Sequence, residues 1–501
     1  MLIVAAIALL SSVTGIPNRF ALDDVSLIQD NARVHGLGGI LDILTRAYWP
    51  PPFRPDLYRP AATLLHALQY TFGGGSPLAF HLVSVALYAG ACVAVLHLAM
   101  RVLPRTAALA AAALFAAHPV HVEAVAEAVN QGELIVGLIA AVMTVIYLDA
   151  RRAAPGGRPA PSTWIALACL YALAAASKEN GFVLPGLLVA VEWCLVRDAR
   201  SPRERVRALA PGFAALALVG VALLAVRTAV LSGDVVGAYT ATALTGLSFG
   251  GRALTMLSVV PIWARLMLWP AHLQSDYSPN EVVASAGWGA AEAGGAAILL
   301  VVLAVALLAR RRSPLVTFGI AWFGIMIFPV SNLLVPTSIV VAERVLFVPS
   351  AGFLLAVAGG AMAVASAWTA RPVWLDPVVR TAAMALVGLG VGRSAARQPV
   401  WHDSARLARQ TEIDAPRSLF VRQAHRDALA QLTAAYAERI AAAAEKWPIR
   451  NEFATLLRYM REDSLAAEQM RLSLEEHPEQ PGLRAVLSDS LRGSASHGPN
   501  H

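Results

Sequence analysis

The chain has 501 residues, of which 57% are hydrophobic and 15% charged, and its mean hydropathy is +0.58. A soluble globular protein is about a quarter charged, so this composition excludes one; the apolar residues fall in runs long enough to cross the ~30 Å hydrocarbon core as helices. The net charge of +7 arises from basic residues clustered in short loops between those runs, which fits anchoring at a membrane surface and not nucleic-acid binding.

The first apolar run, 1–16, has no Lys or Arg before it and no small-residue cleavage site before Asp23, and reads as a slightly short first span. Further spans are expected at about 78–100, 107–119, 124–148, 163–177, 181–197, 207–230, 287–309, 314–330, 344–367 and 377–392. The segment 250–270 carries Arg252, Arg265, Trp263, Trp269, Pro261 and Pro270, which suits an interfacial helix. With it on the surface, the fold class is an all-α integral membrane bundle of about eleven transmembrane helices. Arg101 and Arg105, Arg151, Arg152 and Arg158, the stretch Arg197 to Arg207, Arg310 to Arg312 and Arg371 then fall on the cytoplasmic side. The opposite face receives 17–77, 118–123, 178–180, 231–287, 331–343 and the chain from Arg393, so any chemistry is expected outside the cytoplasm.

Residues 393–490 form a polar, helical tail. Within it, 448–481 reads as two amphipathic helices at close to the ~34-residue tetratricopeptide (TPR) spacing. Residues 491–501 are expected to be disordered. Cys92, Cys169 and Cys194 have no metal-ligand spacing and read as small core residues.

Asp23 and Asp24 follow the first span directly. A carboxylate at a membrane boundary can have its pKa raised and serve as a general base, although an adjacent acidic pair in a loop is also an ordinary solvated feature. His118, His121 and Glu123 lie within six positions, with Glu127 and Glu133 following. Such groups line a polar cavity, hold a metal, or anchor at the interface; the zincin spacing HExxH is absent. Lys178 and Glu179 form an ion pair at a helix end or part of a site. Glu343 and Arg344 begin an apolar run, and Arg59 lies in the first external loop; an arginine there suits a lipid phosphate or headgroup anchoring. There is no Walker A motif, and no inverted repeat or pair of broken helices is visible, which lowers a pump or secondary-transporter reading. A membrane enzyme drawing an activated substrate from the lipid fits what remains, because nucleotide sugars are absent outside the cytoplasm.

Several segments resemble one family in order. They are Phe20-Ala-Leu-Asp23-Asp24 with Asn31, Tyr58-Arg59-Pro60, His81-Leu-Val, His118-Pro-Val-His-Val-Glu-Ala-Val, Gly132-Glu133-Leu134 and Ser177-Lys-Glu. Ser275-Asp276-Tyr-Ser, Pro329-Val-Ser-Asn-Leu-Leu, Ala342-Glu343-Arg344-Val-Leu-Phe-Val-Pro-Ser and the junction from Gly392 through Trp401 and Asp403 complete the series. Together they resemble the transmembrane-and-TPR-repeat O-mannosyltransferases. The resemblance implies a GT-C fold, a membrane glycosyltransferase with a catalytic acid in its first external loop. It implies Asp24 as general base with Asp23 beside it. His118, His121, Glu123, Glu179, Asp276 and Glu343 would line the sugar or acceptor site, and Arg344, Lys178 and Arg59 would neutralise the donor phosphate.

The implied reaction is an inverting transfer of a hexose, mannose by resemblance, from a polyprenyl phosphate to a protein Ser or Thr hydroxyl. No resident metal is assigned, and whether a divalent cation bridges Asp24 and the phosphate is left open. A protein or peptide acceptor would engage the TPR-like tail, with the lipid bilayer and the lipid-linked sugar as the other partners. Two departures stand out: the family's Gly-Arg before its acidic residue is Asn130-Gln131-Gly132 here, and the TPR region is short. The Ala- and Arg-rich composition points to a bacterium with GC-rich DNA, hence a polyprenyl donor and a site on the periplasmic face of the inner membrane. A GT-C enzyme acting on a glycolipid or polysaccharide, and a non-enzymatic lipid or solute transporter, are the competing readings.

Overall fold

A computed structural model describes the chain except for residues 155, 234–238, 278–280, 369–371, 373–374, 460–461 and 497–501. Ser278 and the expected cytoplasmic Arg371 therefore lie outside the described residues. Among the described residues the regular structure is helical, without strands. In chain order the helices are α1 (Leu2–Ser12), α2 (Ile40–Thr45), α3 (Pro60–Gly73), α4 (Pro77–Val102), α5 (Arg105–Ala117), α6 (Val122–Ala126) and α7 (Gln131–Ala153). There follow α8 (Pro161–Ser177), α9 (Leu184–Cys194), α10 (Pro202–Val230), α11 (Phe249–Leu268), α12 (Ala290–Arg312), α13 (Pro314–Ile327), α14 (Phe347–Ala367) and α15 (Leu375–Arg397). The last are α16 (Ser404–Asp414), α17 (Leu419–Ala442), α18 (Trp447–Tyr459), α19 (Asp463–Glu476) and α20 (Pro481–Ser496).

Starts and stops follow local chemistry. Pro60 opens α3 and Gly74 closes it at φ +61° in the left-handed region; Ser201 and Glu204 make a reciprocal capping box at the start of α10. Among the described residues seven helices are long and apolar enough to cross a membrane, or eight if α5 and the bent turn after it count as one span. One of the seven is α11, so the segment expected at the interface has the length and composition of a span; its Trp263 is buried and Trp269, just beyond it, is exposed. α1, α8 and α13 are shorter apolar helices. Cys92 is buried, but Cys169 is exposed on an outward face of α8, so it is not a core residue.

The chain divides into two compact units, 1–418 and 419–501. The first includes 393–418, where the sequence reading begins the tail, because α16 and the turn before it pack into the bundle through Leu407 and Trp401. Its main core joins α4, α5, α7, α13 and α14 around Tyr88, Phe115, Tyr147, Trp322 and Phe347. α13 and α14 meet at Gly319 and Gly352: a Cβ on either would come within 2.6 Å of the other's carbonyl oxygen. Small residues that let two backbones touch are how helices associate where lipid is as apolar as the side chains. The second unit has its own small core of Tyr436, Phe453, Leu457, Ala466 and Met470. There α20 continues to Ser496, six residues into the stretch expected to be disordered, and 497–501 lie outside the described residues.

The ends of α7 carry opposite polar chemistry. Glu133 begins it, and 18 residues on, roughly 27 Å along the axis, Arg151 is buried between Glu192 and Asp198 at 2.9 and 2.6 Å. Arg205 and Arg200 complete that second cluster.

Candidate active site

A cavity of about 840 Å³ lies beside the first turn of α7, bounded by residues from seven separated stretches of sequence. Asp23 comes from the turn after α1, Arg59 from the loop before α3, Glu123 from α6 and Glu133 from α7. Lys178, Glu179 and Asn180 come from the turn after α8, Arg227 from α10, Asp276 from the 269–277 loop, and Arg344 from the turn before α14.

Backbone geometry decides which of the paired aspartates faces this space. Leu22 sits at φ +46°, and the next residues enter a helical turn that continues as a π turn over Val25–Gln29. Asp24 is thereby buried, accepting hydrogen bonds from the backbone N–H of Ala128 and Val129 at 3.1 and 2.8 Å. It does not line the cavity. Asp23 does, half-buried, and among the described residues none donates a hydrogen bond to its carboxylate. Burial pushes the Asp23 carboxyl above its ordinary range, opposed by the charges of Arg344 and Arg59. Burial also raises Asp24, to about 7, against the backbone N–H groups that favour its ionised form. Of the two aspartates to which the resemblance gives the general-base role, Asp23 faces the cavity and Asp24 does not.

The four cations of the cavity are each matched to a carboxylate. Arg59 and Arg227 share Glu179, at 2.6 and 3.0 Å; Lys178 pairs with Glu133 at 2.9 Å; Arg344 pairs with Glu123, whose other oxygen accepts the Arg344 backbone N–H at 2.8 Å. Glu179 is held at about 2: burial alone would raise it, but the two guanidinium groups outweigh burial. Lys178 is lowered by burial, against the attraction of Glu133. Its placement depends on Gly132, where a Cβ would lie 2.9 Å from the carbonyl oxygen of Ser177, so α7 and the end of α8 can touch.

Besides Asp24, three residues assigned to the site from sequence stand outside the cavity. His121 is buried in the core, contacting Ser350 Oγ through Nε2 at 2.8 Å and the Tyr88 hydroxyl through Nδ1 at 3.1 Å. His118 caps the turn Pro119–His121, accepting from the Val120 N–H, and its Nε2 meets the Met267 carbonyl at 3.2 Å. That turn sends both rings away from the cavity while Glu123, one turn on, points into it. Glu343 is also buried off the cavity, accepting from the Gln274 N–H at 2.6 Å and the Tyr277 hydroxyl at 3.0 Å; burial and then Glu123 raise it to about 8. Asp276 lines the cavity and accepts a hydrogen bond from Ser418.

Sequence reasoning missed Arg227 and Tyr48. A buried arginine within an otherwise apolar run is the signal for the first, since a charge inside a span is costly unless paired. Tyr48 lines the cavity with its ring 5.0 Å from the Arg59 guanidinium carbon; nothing in its local pattern distinguishes it. Also unanticipated is the tie between 14–22 and 395–404: Thr14 donates to the Ala395 carbonyl, Asn18 to that of Gln398, Arg19 N–H to that of His402, and Leu22 N–H to Ser404 Oγ. This strap holds the segment that carries Asp23. No group of three or more His, Cys, Asp and Glu side chains among the described residues is arranged to hold a metal ion.

The chain is similar to protein O-mannosyl-transferase TMTC3 of Mus musculus, 25% identical over 367 residues, which is 68% of this chain and 40% of that protein. It is 23% identical over 366 residues to protein O-mannosyl-transferase F38B6.6 of Caenorhabditis elegans, covering 71% of this chain and 50% of that protein. To protein O-mannosyl-transferase Tmtc2 of Drosophila melanogaster it is 32% identical over 273 residues, 52% of this chain and 28% of that protein. The chain therefore spans half or less of the length of these relatives. No family model and no solved structure matches it.

Proposed function

We propose that the chain is a membrane glycosyltransferase of the GT-C type that moves a hexose from a polyprenyl phosphate to a protein hydroxyl. Its site would lie on the extracytoplasmic face, in a bacterium the periplasmic face of the inner membrane. The similarity to protein O-mannosyl-transferases supports the reaction class, and mannose is the hexose it favours. The observation that carries the site is the Asp23 carboxylate, to which none of the described residues donates a hydrogen bond, in a cavity that also holds Arg59, Lys178, Arg227 and Arg344.

In this reading the acceptor oxygen attacks the anomeric carbon from the face opposite the phosphate. The carbon–oxygen bond to phosphate breaks, the polyprenyl phosphate leaves with the electron pair, and the hydroxyl proton passes to Asp23. A base with a raised pKa is suited to a hydroxyl at neutral pH, since proton transfer is most efficient when its pKa lies near the working pH. The phosphate is already a good leaving group, so cations suffice to stabilise it; in this reading Arg344 does so at the expense of its pairing with Glu123. The four-helix unit 419–501 is the proposed acceptor-engaging element. Domain roles follow accordingly: 1–392 with its strap to 418 for catalysis, and the helical tail for the protein partner.

The test is transfer of radiolabelled mannose or glucose from polyprenyl phosphate in membranes containing the protein or Asp23→Asn. Label reaching protein in the first and reduced by about 10²-fold or more in the second supports the reading; label in neither removes it.

A further inference from the structure

One short segment holds the cavity through both of its ends. Its first half, 395–404, carries the turn of Asp23: the Arg19 N–H donates to the His402 carbonyl at 2.8 Å and the Leu22 N–H to Ser404 Oγ at 3.1 Å. Its second half, 411–418, carries the 269–277 loop, from which Ser275, Asp276 and Tyr277 line the cavity. Gln274 Nε2 donates to the Asp414 carbonyl at 2.7 Å, the hydroxyls of Ser275 and Thr411 lie 2.5 Å apart, and Ser418 donates to Asp276.

The two halves are braced against each other. Between them runs α16, roughly 16 Å of helix at 1.5 Å per residue, whose start is capped by Asp403 accepting the Arg406 N–H at 2.8 Å. Arg397, buried at the end of α15, pairs with Asp414, whose other carboxylate oxygen accepts from Gln410 at 2.9 Å. Nε and Nη2 of Arg397 have no partner among the described residues, so Asp414 supplies the bonded counter-charge of this buried cation. Trp401 and Leu407 pack against Val122 and Ala126 of α6, the helix that carries Glu123.

We propose that 395–418 is a yoke that keeps Asp23, Glu123 and Asp276 in fixed relation, which makes Arg397 and Asp414 positioning residues for the transfer. The inference rests on the reading of Asp23 as general base. Asp23 stands on one tight turn and Asp276 on a loop, so their placement depends on what those segments are bonded to. A helix braced by a buried ion pair moves as a unit, and a misplacement of about 1 Å at a reacting group can cost about 10²-fold in rate.

The experiment measures hydrogen exchange and hexose transfer by the full protein in lipid vesicles, with and without Asp414→Asn, a residue outside the cavity. Exchange should quicken by about tenfold or more, as for loss of a charge-assisted hydrogen bond, in both 14–24 and 269–277. In the same variant kcat should fall by about tenfold, with KM for the lipid-linked sugar kept within about twofold. Ser404→Ala, which removes the acceptor of the Leu22 N–H, should lower kcat in the same way, and Ser404→Thr should restore it. That pair decides the matter where the asparagine variant does not fold. Exchange that quickens only within 411–418, exchange that quickens in both segments with kcat unchanged, or a loss that threonine does not restore would overturn the yoke. Hydrogen exchange needs no sugar: quickening at both segments in a protein that transfers no hexose supports the yoke and removes the transfer reading.

Discussion

Asp23 and Asp24 are chain neighbours with opposite surroundings: Asp24 is buried against the Ala128 and Val129 N–H groups, and Asp23 looks into the cavity. Their substitutions should separate. Asp23→Asn should abolish transfer by about 10²-fold or more with thermal stability unchanged. Asp24→Asn keeps one carbonyl oxygen where two were used, so a backbone N–H loses its partner at about 1–3 kcal/mol. A lower unfolding temperature with partial activity is expected. Equal loss of transfer in both, with equal stability, would remove the distinction.

The pH profile should report Asp23. Its carboxyl is raised, so the ionised base is lost as pH falls through a value above the ordinary ~3.9 of an aspartate. Arg344 exerts the largest lowering influence of the neighbouring charges, and it also neutralises Glu123, which raises Asp23. Arg344→Gln should therefore move the acid limb of kcat/KM to higher pH as well as slow the reaction. A limb that stays in place while the rate falls would detach Asp23 from it.

Glu179 binds two guanidinium groups, and its removal should be felt in stability before chemistry. Glu179→Gln removes the carboxylate that Arg59 and Arg227 share, and because that carboxylate is 30% exposed the loss should fall below the about 3–5 kcal/mol of a fully buried pair. Its folded-state pKa, about 2, lies below the ordinary ~4.3. The stability it supplies is thus complete above about pH 4.3 and lost as pH falls toward about 2. Thermal unfolding of detergent-solubilised protein against pH, with and without the substitution, measures both effects.

Glu343 has the opposite sign. Raised to about 8, it favours its protonated form in the fold, so its contribution is complete below the ordinary ~4.3 and declines as pH rises through about 8. Glu343→Gln, a neutral group of the same shape, should match the parent in activity at pH 7 and lose less stability on going to pH 9. Glu343→Ala strands the Gln274 N–H and Tyr277 hydroxyl, at about 1–3 kcal/mol for each buried group left unsatisfied.

Much of this protein was legible before any coordinates. Long apolar runs leave only helices, because lipid offers no partner for a backbone N–H or carbonyl, and the helices form where those runs lie. Charged residues bordering apolar runs mark the cavity because such groups persist only with partners: Glu123 with Arg344, Lys178 with Glu133 and Arg59 with Glu179 all meet there. Composition and order alone also carry the similarity to protein O-mannosyl-transferases.

Direction was decided only by the tertiary structure. A left-handed Leu22 turns Asp23 toward the cavity and Asp24 away from it, and a turn at Pro119 sends His118 and His121 away from the cavity while Glu123 points into it. Arg227 reaches the site because α10 ends beside a turn 48 residues earlier, and the 395–404 strap joins the chain nearly 400 residues away. Sequence spacing sets which residue types stand near a boundary. The side each one faces depends on backbone dihedrals and on partners brought from distant segments, which no local pattern encodes.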